Sequence, residues 1–586
     1  MTRSIINVFI VFSLIVIGCG GAGEEALSID SAIITGEYKI PPCPEWLHTA
    51  VFYQIYPQTF YDSNGDGIGD LPGIIQKLDY VKSLGVDGFW INPFFESPFN
   101  DAGYDVSNYY KVAPRYGTNE DAKRMFNEAE KQNLKILFDY VISYTSLEHP
   151  WFQESAKQGK NKYSNWYIWT NNTWLNPPEE YRAKFIQGYS RRNGQFLSNF
   201  YWNQPALNFG FAAPSEDWML PIDHPDVLAM QEELKKVLRF WMDMGADGFR
   251  ADMAGALVKN AHIKEGDEGF DRRDEGTEMF WNKIRNIIDN EYPEAFMVAE
   301  WSYPASALNG GGFHADFYHW FAGYNDLLQK ESWRILNGYS EGHSFFDKEG
   351  KGDITNFLKS YLDQYERTKG KGYINLPLGN HDLSRLNIKR STEDIEIIFA
   401  FSLTMPGVPF IFYGNEIGMR QLYGLPYVEG AYKPRAGGRT PMQWSRGINK
   451  GFSTASPEKL YLPVDTANDA PNVTDQEGDP NSLLNRVKKL IKLRKEEKAL
   501  AAYAEFVPVY ARESTYPFIY ARACDDEMIL VILNPAGKEA KANFKLNPII
   551  NSYEILAGTE MQIEGNGEEY NVIAPGQSYA IYKLVK

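Results

Sequence analysis

The chain has 586 residues, 44 % hydrophobic and 23 % charged, enough for a large core and more than one domain. Its 59 Lys and Arg against 76 Asp and Glu leave a net charge of −17. That argues against a nucleic-acid partner, because phosphate neutralisation needs a basic surface, and no basic stripe with interleaved aromatics occurs.

Residues 1–19 read as a lipoprotein-type signal peptide. Arg3 precedes an apolar run from Ile5 to Ile17 that is too short for a comfortable membrane span. Val16-Ile17-Gly18-Cys19 resembles the bacterial lipoprotein box, which implies cleavage before Cys19 and lipidation of that residue. An ordinary secretory signal is the alternative; either reading implies export, the first to a cell-envelope membrane. Residues 20–44 begin rich in Gly and Glu and are expected to form a flexible tether. Only Cys43 and Cys524 follow Cys19, so no disulfide framework is expected.

The segment DSNGDGIGD, 62–70, carries Asp62, Asn64, Asp66 and Asp70 at alternating positions. Such oxygen spacing suits Ca²⁺, with glycines for the tight path, although the distal Glu of an EF-hand is missing. An Asx-rich turn is the alternative.

Beyond it a strand–helix unit recurs. Ile74, Ile75, Leu78, Val81 and Leu84 form a helical stripe stopped by Gly85, and Val86–Phe94 follows as a buried strand. Val227, Met230, Leu234, Val237 and Trp241 repeat the stripe, Gly245 stops it, and Gly248–Met253 is the strand. Further strands are expected at 50–57, 134–141, 295–301, 373–379 and 408–414. About eight such units predict an α/β fold, a (β/α)₈ TIM barrel spanning 45–144 and 206–500. A doubly wound sheet is the runner-up, but no GxGxxG follows a strand. Residues 145–205, rich in Trp, Tyr and Asn without clear periodicity, are expected to be a domain inserted after the third strand. From 501 to 586 short strands separated by turn residues predict a C-terminal all-β sandwich domain.

Several strand ends carry charge: Asp139, Arg250 with Asp252, Glu300, and Asn380-His381-Asp382. One such end would be read as a structural ion pair. Several converging on the C-terminal face of a barrel, where active sites lie, are hard to explain as structure alone. Three acids with an arginine suit glycoside hydrolysis. One carboxylate attacks the anomeric carbon, a second, protonated, donates to the leaving oxygen, and a nearby cation keeps the first ionised. HADFYH, 314–319, looks superficially like a metal cluster. On a strand, however, His314 and Asp316 share a face and His319 points the other way, so a structural role is expected.

These segments resemble the α-amylase family, glycoside hydrolase family 13, over roughly 45–586. GFRAD resembles its nucleophile motif, VAEW its acid motif and GNHD its third-carboxylate motif. GVDGFWINP, QPALN (204–208) and GVPFIFYGNE (407–416) fit other signature segments, and GRTPMQW (438–444) resembles the α-glucosidase branch. The resemblance implies Asp252 as nucleophile, Glu300 as acid/base and Asp382 as transition-state stabiliser. It implies substrate contacts from Arg250, His381 and Arg385. It also implies an exo pocket closed by Asp101 and Arg439, with Tyr104 stacking on the sugar. It favours a structural Ca²⁺, over Mg²⁺, held by Asp62, Asn64, Asp66, Ile68 and Asp70. No organic cofactor is expected.

The chain departs from the family at DYVISYTS. Asp139 is kept, but Ser143 and Tyr144 replace the usual ending in His, and Ala206 stands where Asp is frequent. Tyr144 still offers one hydrogen bond but cannot become cationic, so altered specificity or a lower rate is expected. The expected activity is retaining hydrolysis of α-glucosidic bonds in malto-oligosaccharides or related α-glucans. The alternatives are a transglycosylase or isomerase such as a trehalose synthase, or a catalytically silent glycan-binding lipoprotein.

Overall fold

The structure, a computed structural model, describes residues 27–182, 184–259, 268–319, 324–328, 343–431 and 435–585. The signal segment and Cys19 lie outside these residues, and no helix among them is long and apolar enough to cross a membrane.

Eight parallel strands form the barrel: β1 (Phe52–Ile55), β2 (Gly88–Ile91), β3 (Lys135–Tyr140), β4 (Gly248–Ala251), β5 (Phe296–Ala299), β6 (Ala315–Phe317), β7 (Tyr373–Asn375) and β8 (Phe410–Phe412). Each pairs with its successor from β1 to β7, β8 returns to β1, and a bridge between Leu378 and Ile411 joins β7 to β8. Phe52, Trp90, Phe296, Val298, Phe317 and Phe410 pack together inside, so the barrel is filled, not hollow. Seven strands fall in the runs expected from sequence. The eighth, β6, lies within HADFYH, where a three-residue strand holding a buried Asp gives little apolar signal.

The glycines of the GADGFRAD segment have different work. Gly245 ends the helix Pro225–Met244 at φ 121°, where a side chain would be strained. At Gly248 a Cβ would lie 2.0 Å from the Phe296 carbonyl oxygen, so only glycine lets β4 approach β5. The stripe Ile74–Leu84 is two helices, Leu71–Gln76 and Leu78–Ser83, broken at Lys77.

The insertion leaves and rejoins the barrel side by side: Tyr144 bridges Ala206. It holds a small hairpin, Phe185–Ile186 with Phe196–Leu197, over packed rings of Phe152, Tyr167, Trp169 and Phe196. Its Ile168, Tyr181, Phe185 and Leu197 pack with Ala206, Phe211, Trp218 and Met219 of the segment that follows.

The C-terminal region comprises β9 (Glu505–Arg512), β10 (Phe518–Cys524), β11 (Glu527–Asn534), β12 (Ala540–Asn547), β13 (Ser552–Gly558), β14 (Gln562–Asn566), β15 (Glu569–Ala574) and β16 (Ser578–Val585), divided between two sheets. The expected tether is corrected here. Ser28–Ile29 pairs with β9 and Ser31–Ile33 with β12, so this stretch adds an edge strand to each sheet. Ile34 is buried, and Gly36 N–H and Thr35 Oγ1 donate to the Glu505 carboxylate, each at 2.7 Å. The Ser-Ile-Asp-Ser-Ala-Ile-Ile sequence is too short to read as strands alone; the sheet edges that order it come from 500 residues away. Cys43 and Cys524 are free thiols.

Candidate active site

The ends of β3, β4 and β5 converge on one guanidinium. Arg250 Nη1 donates to Asp252 Oδ1 at 2.6 Å and to Asp139 Oδ1 at 2.8 Å, and Nη2 lies 2.7 Å from Glu300 Oε2. Strand register explains the meeting. Arg250 pairs with Asp139 across β3–β4, and Ala251 with Ala299 across β4–β5, which brings Asp252 level with Glu300. Trp90 packs its ring 4.9 Å from the guanidinium and donates to Asp139 Oδ2 at 3.1 Å. Tyr104 donates to the same oxygen at 2.8 Å. Met253, at φ 45°, turns its N–H onto Glu300 Oε2 at 3.1 Å.

This half of the site is short of positive charge: three buried carboxylates share one cation. Burial pushes Asp252 well above the ordinary carboxylate range, against the pull of Arg250. Burial likewise raises Asp139 to about 6, again with Arg250 opposing. Glu300 is also raised by burial, but Arg250 and His319 outweigh this and bring it down to about 2. The three groups share one cation and so titrate together.

The other half is built the opposite way. Asp382 Oδ1 lies 3.0 Å from Arg435 Nη2 and 3.1 Å from Arg439 Nη2, with His381 Nε2 3.4 Å from Oδ2. Burial would raise Asp382, but Arg435, His381 and Arg439 together hold it well below the ordinary range. Burial lowers His381 to about 3, so its ring is neutral; Nδ1 meets Gln54 Nε2 at 3.2 Å and one ring face is parallel to Tyr104 at 5.2 Å. Arg435 was not singled out in the sequence. Its signal is the spacing in RAGGRTP, which sets it four residues before Arg439, one turn earlier.

Three of the expected substrate contacts are engaged by partners within the protein. Asp101 and Arg439 are both buried but form no direct ion pair. Arg439 is engaged by Asp382, the His381 carbonyl and Tyr56, while Asp101 accepts from Gln204 Nε2 of QPALN at 2.8 Å. Burial raises Asp101 to about 6, with Arg435 the main opposing charge. Arg385 does not reach the acids: it donates to the Tyr413 carbonyl and lies across the rings of Phe412 and Tyr413. Its place in NHDLSR suggests proximity to Asp382, but the turn aims it into the core. Tyr144, by contrast, points into the site and donates to Asp252 Oδ2 at 3.1 Å.

HADFYH also differs from expectation. His314 accepts from Met297 N–H at 3.0 Å and is structural. His319, however, stands beyond the end of β6, where strand alternation no longer applies, and its Nε2 lies 3.7 Å from Glu300 Oε1.

In the 62–70 loop Asp62 accepts from the N–H groups of Asn64, Gly65 and Gly67 and from Ser453 Oγ. Asp70 caps the helix Leu71–Gln76 through Gly73 N–H at 2.6 Å. Asn64 and Asp66 make Asx turns to Asp66 and Ile68. Among the described residues no group of three or more His, Cys, Asp or Glu closes to metal-binding distance. The donor set is all oxygen, which matches Ca²⁺ in kind.

Residues 54–502 match the model of the alpha amylase catalytic domain. The chain belongs to the alpha-amylase family. Over 561 residues it is 31 % identical to the Oligo-1,6-glucosidase of Parageobacillus thermoglucosidasius, covering 87 % of this chain and 94 % of that protein. It is 30 % identical over 495 residues to a Trehalose synthase/amylase of Mycolicibacterium smegmatis, covering 79 % and 78 %. The crystal structure of a trehalulose synthase from Pseudomonas mesoacidophila MX-45 superposes with a TM-score of 0.75 at 25 % identity, covering 93 % of this chain and all of that one. This family member is a glycoside hydrolase of a barrel fold whose relatives include α-glucosidases.

Proposed function

We propose that the chain is a retaining, exo-acting α-glucosidase for short α-glucosides, with Asp252 as nucleophile and Glu300 as acid/base. The sharing of one guanidinium by Asp252 and Glu300 carries this reading. Two carboxyls gripped by one fork suit the roughly 5–5.5 Å separation of direct attack better than the roughly 6.5–9.5 Å that leaves room for an intervening water. Arg250 and Tyr144 hold the two oxygens of Asp252 separately, which fixes the plane of the attacking carboxylate. Burial raises Asp252 while Arg250 and His319 lower Glu300, so a proton must pass to Glu300 as substrate binds; Asp252 then attacks the anomeric carbon as Glu300 gives that proton to the leaving oxygen. Glu300 then takes a proton from water, which cleaves the glycosyl-enzyme bond. Asp382, ionised by its arginines, faces the developing positive charge.

The exo reading rests on how the pocket is lined. Asp101, Gln204 and the pair Arg435 and Arg439 come from three separate segments; Gln204 binds Asp101, and both arginines bind Asp382. The transferase or isomerase reading stays second, supported by the Trehalose synthase/amylase relative. It shares the covalent intermediate and differs only in what attacks it. Following products from maltose, maltohexaose, isomaltose, trehalose and sucrose decides between them. Stepwise glucose release, abolished in Asp252→Asn, supports the exo-glucosidase. Mid-chain products sink the closed pocket, and new disaccharides without net hydrolysis favour the transferase.

We further propose a structural Ca²⁺ on the oxygens of Asp62, Asn64, Asp66, Ile68 and Asp70, and export with a lipid on Cys19. Recovery of the chain in the detergent phase, lost in Cys19→Ala, tests the anchor.

A further inference from the structure

The two oxygens of Glu300 face two different walls. Oε2 is bound by Arg250 Nη2 and by Met253 N–H, on the β4 side. Oε1 faces His319, on the β6 side, at 3.7 Å. The β6 side is built with care. Asp316 pairs opposite Ala299, the residue before Glu300, and its Oδ1 accepts the N–H groups of Trp301 at 2.9 Å and Ser302 at 3.2 Å. These are the two residues after Glu300. Ser302 sits at φ 60°, a left-handed conformation that serine seldom adopts and that persists only where neighbours enforce it. Its Oγ donates to the Phe317 carbonyl at 2.9 Å and lies 3.5 Å from His319 Nδ1.

These partners hold the ring of His319 from its Nδ1 side. Ser302 Oγ gives its hydrogen to Phe317, and the Phe317 carbonyl itself lies 3.4 Å from Nδ1, so Nδ1 faces two acceptors. Nε2, the other ring nitrogen, is the one turned towards Glu300 Oε1.

We propose that His319 and Asp316 are positioning residues for the acid/base step. Asp316 pins the 301–302 turn that aims Glu300, and His319 backs Oε1, so that the plane of the acid/base carboxyl is fixed towards the leaving group. The proposal rests on the reading of Glu300 as the acid. It needs the β4 wall too: Arg250 and Met253 N–H hold Oε2, so the two walls together set the carboxyl plane. Asp139 and Asp252 share that arginine, and Asp382 faces Glu300 from across the site.

The test is the dependence on leaving group. A sugar leaving group needs protonation, whereas a 2,4-dinitrophenolate does not. In His319→Phe, kcat/KM on maltose is expected to fall about 10- to 100-fold, and on 2,4-dinitrophenyl α-glucoside less than about threefold. The alkaline limb of the maltose pH profile should move as well. His319→Gln, which keeps a polar atom near Oε1, should recover part of the loss. Asp316→Ala should show the same split and Asp316→Asn, which retains the accepting oxygen, a milder one. Glu300→Gln is the reference. If it shows the split and both folded His319 variants lose activity equally on the two substrates, or on neither, the proposal is overturned. If Glu300→Gln itself shows no split, the acid assignment fails first.

Discussion

The two halves of the site treat charge in opposite ways. Around Arg250, one cation serves Asp139, Asp252 and Glu300; around Asp382, one carboxylate is served by Arg435 and Arg439. Burial is similar on both sides, so the ratio of charges decides the protonation. In the first half burial raises Asp252 and Asp139 while Arg250 and His319 lower Glu300, so the three acids differ in how readily they hold a proton. The second holds a fixed negative charge, which suits the role proposed for Asp382. Both ratios follow from which strand ends are neighbours.

Neutralising one acid in each half breaks the symmetry of effect. Asp252→Asn is expected to cost about 10⁴-fold or more in kcat, the scale seen when an essential member of a catalytic unit is removed. It should leave the melting temperature unchanged or higher, because it relieves like-charge crowding while the amide oxygen still accepts from Arg250. Asp382→Asn should also lose activity, but here stability falls by about 1.5–3 kcal/mol, since two buried guanidiniums lose their counter-charge. Equal changes in melting temperature for the two variants would sink the charge-ratio argument.

Tyr144 offers a finer test within the first half. Tyr144→Phe removes one hydrogen bond to Asp252 Oδ2. A bond to an ionised acceptor is worth about 1.5–3 kcal/mol, so kcat/KM should fall about 10- to 100-fold with little change in melting temperature. Tyr144→His, which returns the residue usual in the family, should restore part of the rate. An unchanged rate in Tyr144→Phe would mean that the phenol leaves Asp252 once substrate enters.

Much of this was readable beforehand, for physical reasons. Seven of the strands lie in apolar runs, are buried on both faces and read as continuous runs, and the acids stand out because charge at the end of such a run is costly. β6 was hidden because three residues with an Asp in the middle look like a turn. His319 was assigned by strand alternation to the wrong wall, since the strand had already ended. Arg435 and the edge strands at 28–33 depend on partners distant in sequence, which periodicity cannot report. Arg385 failed in the other direction: nearness in the chain to Asp382 did not make it a neighbour in space.

The charge ratio also sets how stability depends on pH. Asp101 and Asp139 have folded values near 6, above that of an unfolded aspartate. Between about 4 and 6 the folded state therefore holds protons that the unfolded state has lost, and stability rises as pH falls through that window. Asp382 is depressed, so its contribution is complete above the unfolded value and is lost only as pH falls below about 4. The melting temperature should thus peak on the acid side, between about pH 4 and 6, and Asp139→Asn should flatten the rise from pH 7. A monotonic fall from pH 7 downward would contradict the assignment.

The smallest effect expected lies outside the barrel mouth, at the 62–70 loop. There the carboxylates are satisfied by the loop's own N–H groups, and Asp62 reaches Ser453 Oγ at 2.6 Å, tying the loop to the segment that follows Trp444. Those bonds hold the backbone without a metal, so the ion adds to a framework already formed. Its gain follows from mass action: about 2.7 kcal/mol when free Ca²⁺ is 100 times the dissociation constant. Chelation should therefore lower the melting temperature by a few degrees and leave kcat nearly unchanged. Re-addition of Ca²⁺ should restore the melting temperature in the parent protein and not in Asp66→Ala. Should chelation leave the melting curve where it was, the loop is an Asx-turn scaffold and the metal proposal falls.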